Sequence, residues 1–416
     1  MIAKQPRRIV VASRLHKRVG GVESYLASVV PALRVAGHEV ACWFETAGDG
    51  VDDVVTRGGP NSVWFAGEET DGGAAAIRAW RPDVIYAHGV SSPAHERALM
   101  RLAPAVFFAH SYYGACISGT KTLRVPQVRV CDRALGPACL AQYYPRRCGG
   151  LSPVTLVRQY ALQRERLQIL HDYPRILVAS RHMAAEYGRY GLDASLRVVP
   201  LPVEFPELEP RALAALRTET EADQPWRLLF LGRFEETKGV QLALESARLL
   251  ASSSGRRIEL QVSGEGTLRS RIEADAARLM SRNPNLRVCV TPWLTPGGAA
   301  AALDRSDLML VPSLWPEPFG MVGVEAARRA VPSVAFAVGG ISEWLTDGVT
   351  GALLDPAEPT ADAIARAVTA ILSDAVRHQR MRKACLETAG RFEMNAHLCA
   401  LDAVFEEVSG LRGRAA

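Results

Sequence analysis

Short apolar runs recur along the chain. Each ends at a glycine or a polar residue, and most lead into apolar positions at helical spacing. Residues 8–13 (RIVVAS) form the first run; a loop with Gly20-Gly21 follows, and Val22, Leu26, Val29, Val30 and Leu33 then mark one face of a helix. Gly37-His38 closes that helix, and 40–44 is the next run. Strand, glycine loop, helix, strand is a parallel βαβ unit. Further runs at 84–87, 105–109, 176–179 and 196–199 end at His88, His110, Ser180 and Pro200. Residues 204–226 carry prolines at 206, 210 and 225 and no strand pattern, which reads as a linker. Strands are then expected at 227–230, 258–262, 288–290, 308–311 and 334–336, with helices at about 240–251, 267–280 and 321–330. Beyond 360 the pattern is helical, with a long last helix at 392–411. The expected architecture is two Rossmann-like α/β domains, 1–203 and 227–390, facing across a cleft. The C-terminal helix, 391–416, returns toward the first. Open α/β sheets bind ligands at the carboxyl ends of their strands.

The chain has 416 residues, 48% of them hydrophobic and 22% charged, which is the globular class and enough for two cores. Residues 1–200 carry 25 Lys and Arg against 16 Asp and Glu, and the remainder 24 against 28. The first half is therefore basic, which suits an anionic surface or substrate, although an arginine-rich composition alone gives the same asymmetry. No apolar run reaches eighteen residues and no signal-peptide pattern follows Met1. The expected compartment is the cytoplasm, with reduced cysteines.

Candidate chemistry concentrates at 311–356. Glu317 and Glu325 stand eight positions apart, separated by Pro318, Phe319, Gly320 and the start of a predicted helix. Pro318 suits a first helical turn, and the free amides after it suit an anion. Arg233 and Lys238 closely follow one strand, a pairing that suits a pyrophosphate. Gly264-Glu265-Gly266 lacks the third glycine of a dinucleotide fingerprint and reads as a tight turn lining the cleft. Gly20 and Gly21 permit close backbone approach to a phosphate or sugar. His110 stands at a strand end beside Ser111 and Tyr112.

Together these residues resemble a retaining glycosyltransferase of family 4, with the two-domain GT-B fold. The resemblance rests on Gly20-Gly21-Val22-Glu23, His110, the LGRFEETKG of 231–239, Gly264-Glu265-Gly266, the Glu317/Glu325 motif with its EPFG, Gly339-Gly340, Glu343 and Asp347-Gly348. It implies transfer of a sugar from a nucleotide-diphosphate sugar to a glycan, lipid-linked or small-molecule acceptor, without a catalytic metal or a nucleic-acid partner. It assigns Glu325 to the ribose hydroxyls, and Glu317 with the amides of Phe319, Gly320, Met321 and Val322 to the sugar. Arg233 and Lys238 go to the diphosphate, Gly21 lies near it, and His110 serves the transferred sugar. Residues 291–294 line the base. Arg, Lys and helix-end amides stabilise charge on the departing diphosphate. Retention through front-face attack fits the absence of an evident enzyme nucleophile. The rival readings are a nucleotide-sugar epimerase or hydrolase, and an inactive nucleotide-binding partner protein.

Two stretches stand apart. Cys116, Cys131, Cys139 and Cys148 fall in an insertion at 111–150, with 14, 7 and 8 residues between them, so no paired C-x2-C pattern exists. Structural zinc or iron on all four thiolates and reduced cysteines without a ligand are both consistent with that spacing. The helix expected at 154–170 carries Arg158, Arg164 and Arg166. It fits a peripheral contact of the basic first domain with a membrane, or a solvated helix face.

Overall fold

The computed structural model describes residues 5–50, 52–56, 62–67, 73–206 and 224–412. Most of the expected linker, 207–223, lies outside the described residues. The chain divides into two compact units. The first comprises Met1–Lys121, Asp132–Pro202 and Met394–Ala416; the second comprises Thr122–Cys131 and Val203–Glu393.

The first unit holds strands β1 (Arg8–Leu15), β2 (Glu39–Thr46), β3 (Val63–Phe65), β4 (Val84–Ala87), β5 (Ala105–Ala109), β8 (Arg175–Val178) and β9 (Leu196–Val198). They form one sheet in the order β3-β2-β1-β4-β5-β8-β9, parallel throughout. β4 and β5 are buried along their whole length, which is why they read as unbroken apolar runs and not as alternating ones. The order reverses between β1 and β4. The final helix, Met394–Arg412, belongs to this unit. Its Phe405 lies 5.3 Å from the Tyr86 ring of β4.

The second unit's sheet contains β10 (Trp226–Leu231), β11 (Ile258–Ser263), β12 (Leu286–Thr291), β13 (Leu308–Val311), β14 (Ser333–Phe336) and β15 (Gly351–Leu354), in the order β12-β11-β10-β13-β14-β15. All its pairings are parallel, and the order reverses between β10 and β13. Such a switch point opens a crevice at the carboxyl ends of its two strands. A small antiparallel hairpin, β6 (Thr122–Leu123) with β7 (Arg129–Val130), lies within the insertion.

The helix after β13 begins at Met321, as its pattern predicts, and runs to Arg328. Gly320 caps it in the left-handed region, at φ 86, and that turn separates the Glu317-Pro318-Phe319 loop from the helix. The C-terminal helical region is three helices, Ala361–Leu372, Ala375–Ala389 and Met394–Arg412. No described helix is long and apolar enough to cross a membrane.

Candidate donor site and a buried histidine cluster

The loops that leave β10 and β13 meet at the second unit's switch point. The Leu314 N–H donates to Thr237 O at 2.8 Å and ties the two loops together. Lys238 ends a short 3-10 turn after β10, and its Nζ donates to Glu317 Oε1 at 2.6 Å. The Ser313 hydroxyl donates to the same oxygen at 2.6 Å, and Lys238 Nζ lies 5.1 Å from the centre of the Trp315 ring. Burial alone would push the Glu317 carboxyl up, but the Lys238 ammonium and these hydrogen bonds hold it below the usual range. Glu317 is thus a fixed anion, and Lys238 keeps donors beyond the one it spends here.

The backbone of this loop is also pinned. Gly340 N–H donates to Glu317 O at 2.6 Å, and the Trp344 indole N–H donates to Phe319 O at 2.8 Å. Gly339 has φ 60, and a Cβ there would lie 2.2 Å from Glu317 O. Gly339→Ala should therefore displace Glu317. We expect about 2 kcal/mol of lost stability by denaturant unfolding, whereas Gly297→Ala, at an exposed site with nothing within 4 Å of the added Cβ, should be near neutral.

Beyond the pinned loop, the N–H groups of Phe319, Gly320, Met321 and Val322 make no hydrogen bond within the described residues. They are the open donors of a helix start, where the helix dipole favours an anion. Glu325 follows on the second turn. It is half-buried, makes no hydrogen bond or ion pair among the described residues, and is pushed up to about 7 by burial alone.

The other expected residues are arranged differently. Arg233 follows β10, but its side chain is 54% exposed and its Nη1 donates to Glu235 at 2.9 Å. Gly264 is explained by backbone packing, since a Cβ would come within 1.9 Å of Gly232 O. Thr291 bonds Ser263 through its hydroxyl at 2.7 Å, and Trp293 stands exposed after β12. In the first unit, Gly20 caps the helix Gly21–Val35, and its N–H is taken by the Glu23 carboxylate at 2.9 Å.

His110 follows β5 directly and lies inside a cluster that sequence reasoning missed. His110 Nε2 and His88 Nδ1 are 2.9 Å apart, and His110 stacks on Phe108 with ring centroids 4.5 Å apart. The Tyr25 ring lies 5.0 Å from His110, and its hydroxyl bonds both Tyr86, at 2.6 Å, and His397 Nε2, at 2.7 Å. His88 shows a signal similar to that of His110, a histidine ending a strand. Nothing in the sequence marks His397, which arrives on the final helix.

The four insertion cysteines are not gathered in one cluster. Among the described residues, no three His, Cys, Asp or Glu side chains are grouped to hold a metal ion. Cys139 and Cys148 instead pack against an apolar cluster of Ile117, Tyr143 and Leu156, and Cys116 accepts the Lys121 N–H at 3.4 Å. A small core of its own orders the insertion, and all eight cysteines of the chain are unbridged.

Two parallel α/β units, the second with anion-directed groups at its switch point, define the class of two-domain Rossmann-like α/β proteins. The family model of glycosyl transferases group 1 matches residues 215–388, and that of glycosyltransferase family 4 matches 19–205. The chain belongs to this glycosyltransferase family and has its GT-B fold. It is 31% identical over 222 residues to the D-inositol 3-phosphate glycosyltransferase of Segniliparus rotundus, covering 52% of this chain and 48% of that one. The match thus spans about half the length of that relative. The glycogen synthase of Mycobacterium tuberculosis is 26% identical over 88% of this chain and 86% of its own. Among solved structures, the sucrose-phosphate synthase of Thermosynechococcus elongatus superposes with a TM-score of 0.69 at 18% identity, covering 97% of this chain and all of that one. Anabaena HepE, solved with UDP and glucose, gives 0.65 at 16% identity, covering 96% of this chain and 99% of that one.

Proposed function

We propose that the protein is a retaining glycosyltransferase that moves a sugar from a nucleotide-diphosphate sugar to a hydroxyl acceptor without a catalytic metal. The observation that carries this reading is Glu325, a half-buried carboxylate with no partner among the described residues, one turn beyond four backbone amides that are likewise unpaired there. An unpaired buried carboxylate costs stability, and a ligand that supplies hydroxyl donors offsets that cost. The ribose of a nucleotide fits, with its diphosphate toward Lys238 and the open amides, and the sugar held by Glu317. Trp293, exposed after β12, offers a face to the base. Arg233 would add a second cation by exchanging Glu235 for phosphate; the family resemblance assigns Gly21 and Gly264 to the donor and His110 to the transferred sugar. With the leaving phosphate taking the acceptor's proton, attack from the same face retains configuration. The test is product analysis with a panel of nucleotide sugars. Slow donor hydrolysis without acceptor, accelerated by a sugar or lipid-linked acceptor and giving a product of unchanged anomeric configuration, is expected. Inverted product or epimerised donor would sink the reading.

The same proposal includes work in the cytoplasm, at a membrane surface. The unbridged cysteines suit a reducing compartment. Residues 133–164 contain five arginines and no acid, and Leu151, Val154 and Val157 are 79%, 67% and 63% exposed. Apolar side chains ringed by arginines fit an anionic bilayer. The protein should co-sediment with phosphatidylglycerol-containing vesicles and not with phosphatidylcholine alone, and Val154→Ser with Val157→Ser should weaken that binding severalfold.

A further inference from the structure

The hydrogen bonds of the first unit's histidine cluster determine where its protons sit. His397 Nδ1 lies 2.8 Å from Pro200 O, a carbonyl that only accepts. His397 therefore carries its proton on Nδ1, and its Nε2 accepts the Tyr25 hydroxyl proton. The Tyr25 oxygen then accepts from Tyr86. Tyr25 spends its proton on His397, so it does not compete for His110, whose one hydrogen-bond partner among the described residues is His88.

His88 is the less free of the two. It is 6% exposed, and its Nε2 is sealed without a partner. A proton on that nitrogen would be a buried, unsatisfied N–H, which native structures avoid more strictly than an unused lone pair. The proton therefore belongs on His88 Nδ1, where it donates to His110 Nε2 across the 2.9 Å contact. The His110 proton is then on Nδ1, a nitrogen that is neither bonded nor sealed.

We propose that His88 is a positioning residue that fixes His110 as the Nδ1–H tautomer, so that the β5 end presents one neutral, outward N–H donor. Resting on the glycosyltransferase reading, the oxygen it meets is a sugar hydroxyl. Stacking on Phe108 and the tilted Tyr25 ring hold the donor's direction. Burial, and then the neighbouring imidazoles, push His110 down to about 3 and His88 well below the usual histidine range. Both rings are thus neutral at pH 7, as a donor–acceptor pair of imidazoles requires.

The test is long-range 15N–1H correlation on histidine-labelled full-length protein at pH 7, with His110 and His88 assigned from His110→Gln and His88→Asn. Wild type should show protonated Nδ1 and bare Nε2 at His110 and at His88. In His88→Leu the His110 tautomer should shift toward Nε2–H, and donor hydrolysis should fall about tenfold. His88→Asn, which keeps a donor near the Nδ1 position, should retain both properties. A wild-type His110 protonated on Nε2 overturns the proposal even if the Leu variant fails to fold, as does a tautomer unchanged in that variant. Failure of the functional reading looks different: the tautomers stand as stated, but His110→Gln processes its nucleotide sugar at the wild-type rate.

Discussion

Glu325→Gln should make the ligand-free protein more stable and the nucleotide complex weaker. Burial raises the folded carboxyl to about 7, above the ordinary value of 4.5 that the unfolded chain retains. Below the unfolded pKa both states are protonated and the group costs nothing. Between the two values the unfolded state ionises while the folded state keeps its proton, so stability falls as pH rises, and the cost is complete above 7. After discounting for partial exposure, that cost is on the order of 2 kcal/mol at pH 8. The Gln variant should therefore melt higher than wild type at pH 8, with the gain gone near pH 4.5. A neutral amide accepts ribose hydroxyls less strongly than a carboxylate, so nucleotide affinity should fall about tenfold or more. Melting curves across pH, with and without nucleotide, check both halves. A Gln variant less stable at pH 8 would mean that Glu325 has a structural partner.

Lys238→Met should abolish transfer and destabilise the second unit together. The ammonium is the counter-charge of a carboxylate that is 6% exposed, and removing it strands Glu317. Breaking a buried pair from one side costs about 3–5 kcal/mol. In wild type the Glu317 carboxyl is held below the ordinary value, so its contribution is present above the unfolded pKa and is lost as pH falls through the folded one. In the variant that support is gone, and Glu317 is expected to take up a proton, so part of the loss should be recovered toward pH 5. Lys238→Met with Glu317→Gln should restore most of the stability and none of the activity, separating the structural share of the pair from the catalytic one. Urea unfolding of wild type, Lys238→Met and the double variant measures this directly. A single variant as stable as wild type would show that the pair is not the buried bridge described here.

Much of the fold was legible because its strands are buried on both faces. Runs such as 105–109 and 308–311 are apolar from end to end and stop where the carboxyl end opens on a loop. The edge strands Val63–Phe65 and Gly351–Leu354 were missed; each is buried over only part of its length and does not carry the two-sided pattern of the central strands. Glu317, Glu325 and Lys238 were legible from local spacing on loops that leave adjacent strands. Pro318 suits a first helical turn but does not open one, because the left-handed turn at Gly320 separates it from the helix. The partners of His110 were not legible: Tyr25 and His397 meet across 372 positions of chain, a contact that no local pattern encodes. The cysteine spacing leaves a shared metal and ligand-free thiols both open, because closeness in sequence does not say which side chains meet; in the structure Cys139 and Cys148 pack against the cluster of Leu156 and Tyr143.

The most direct test of the donor site is binding of UDP, GDP and ADP to wild type and Glu325→Gln, by titration calorimetry at pH 7 without added metal. One of the three should bind wild type in the micromolar range and the variant at least tenfold more weakly, as expected of a ribose held by that carboxylate. No binding of any of them to wild type, or equal affinity for both proteins, would contradict the site.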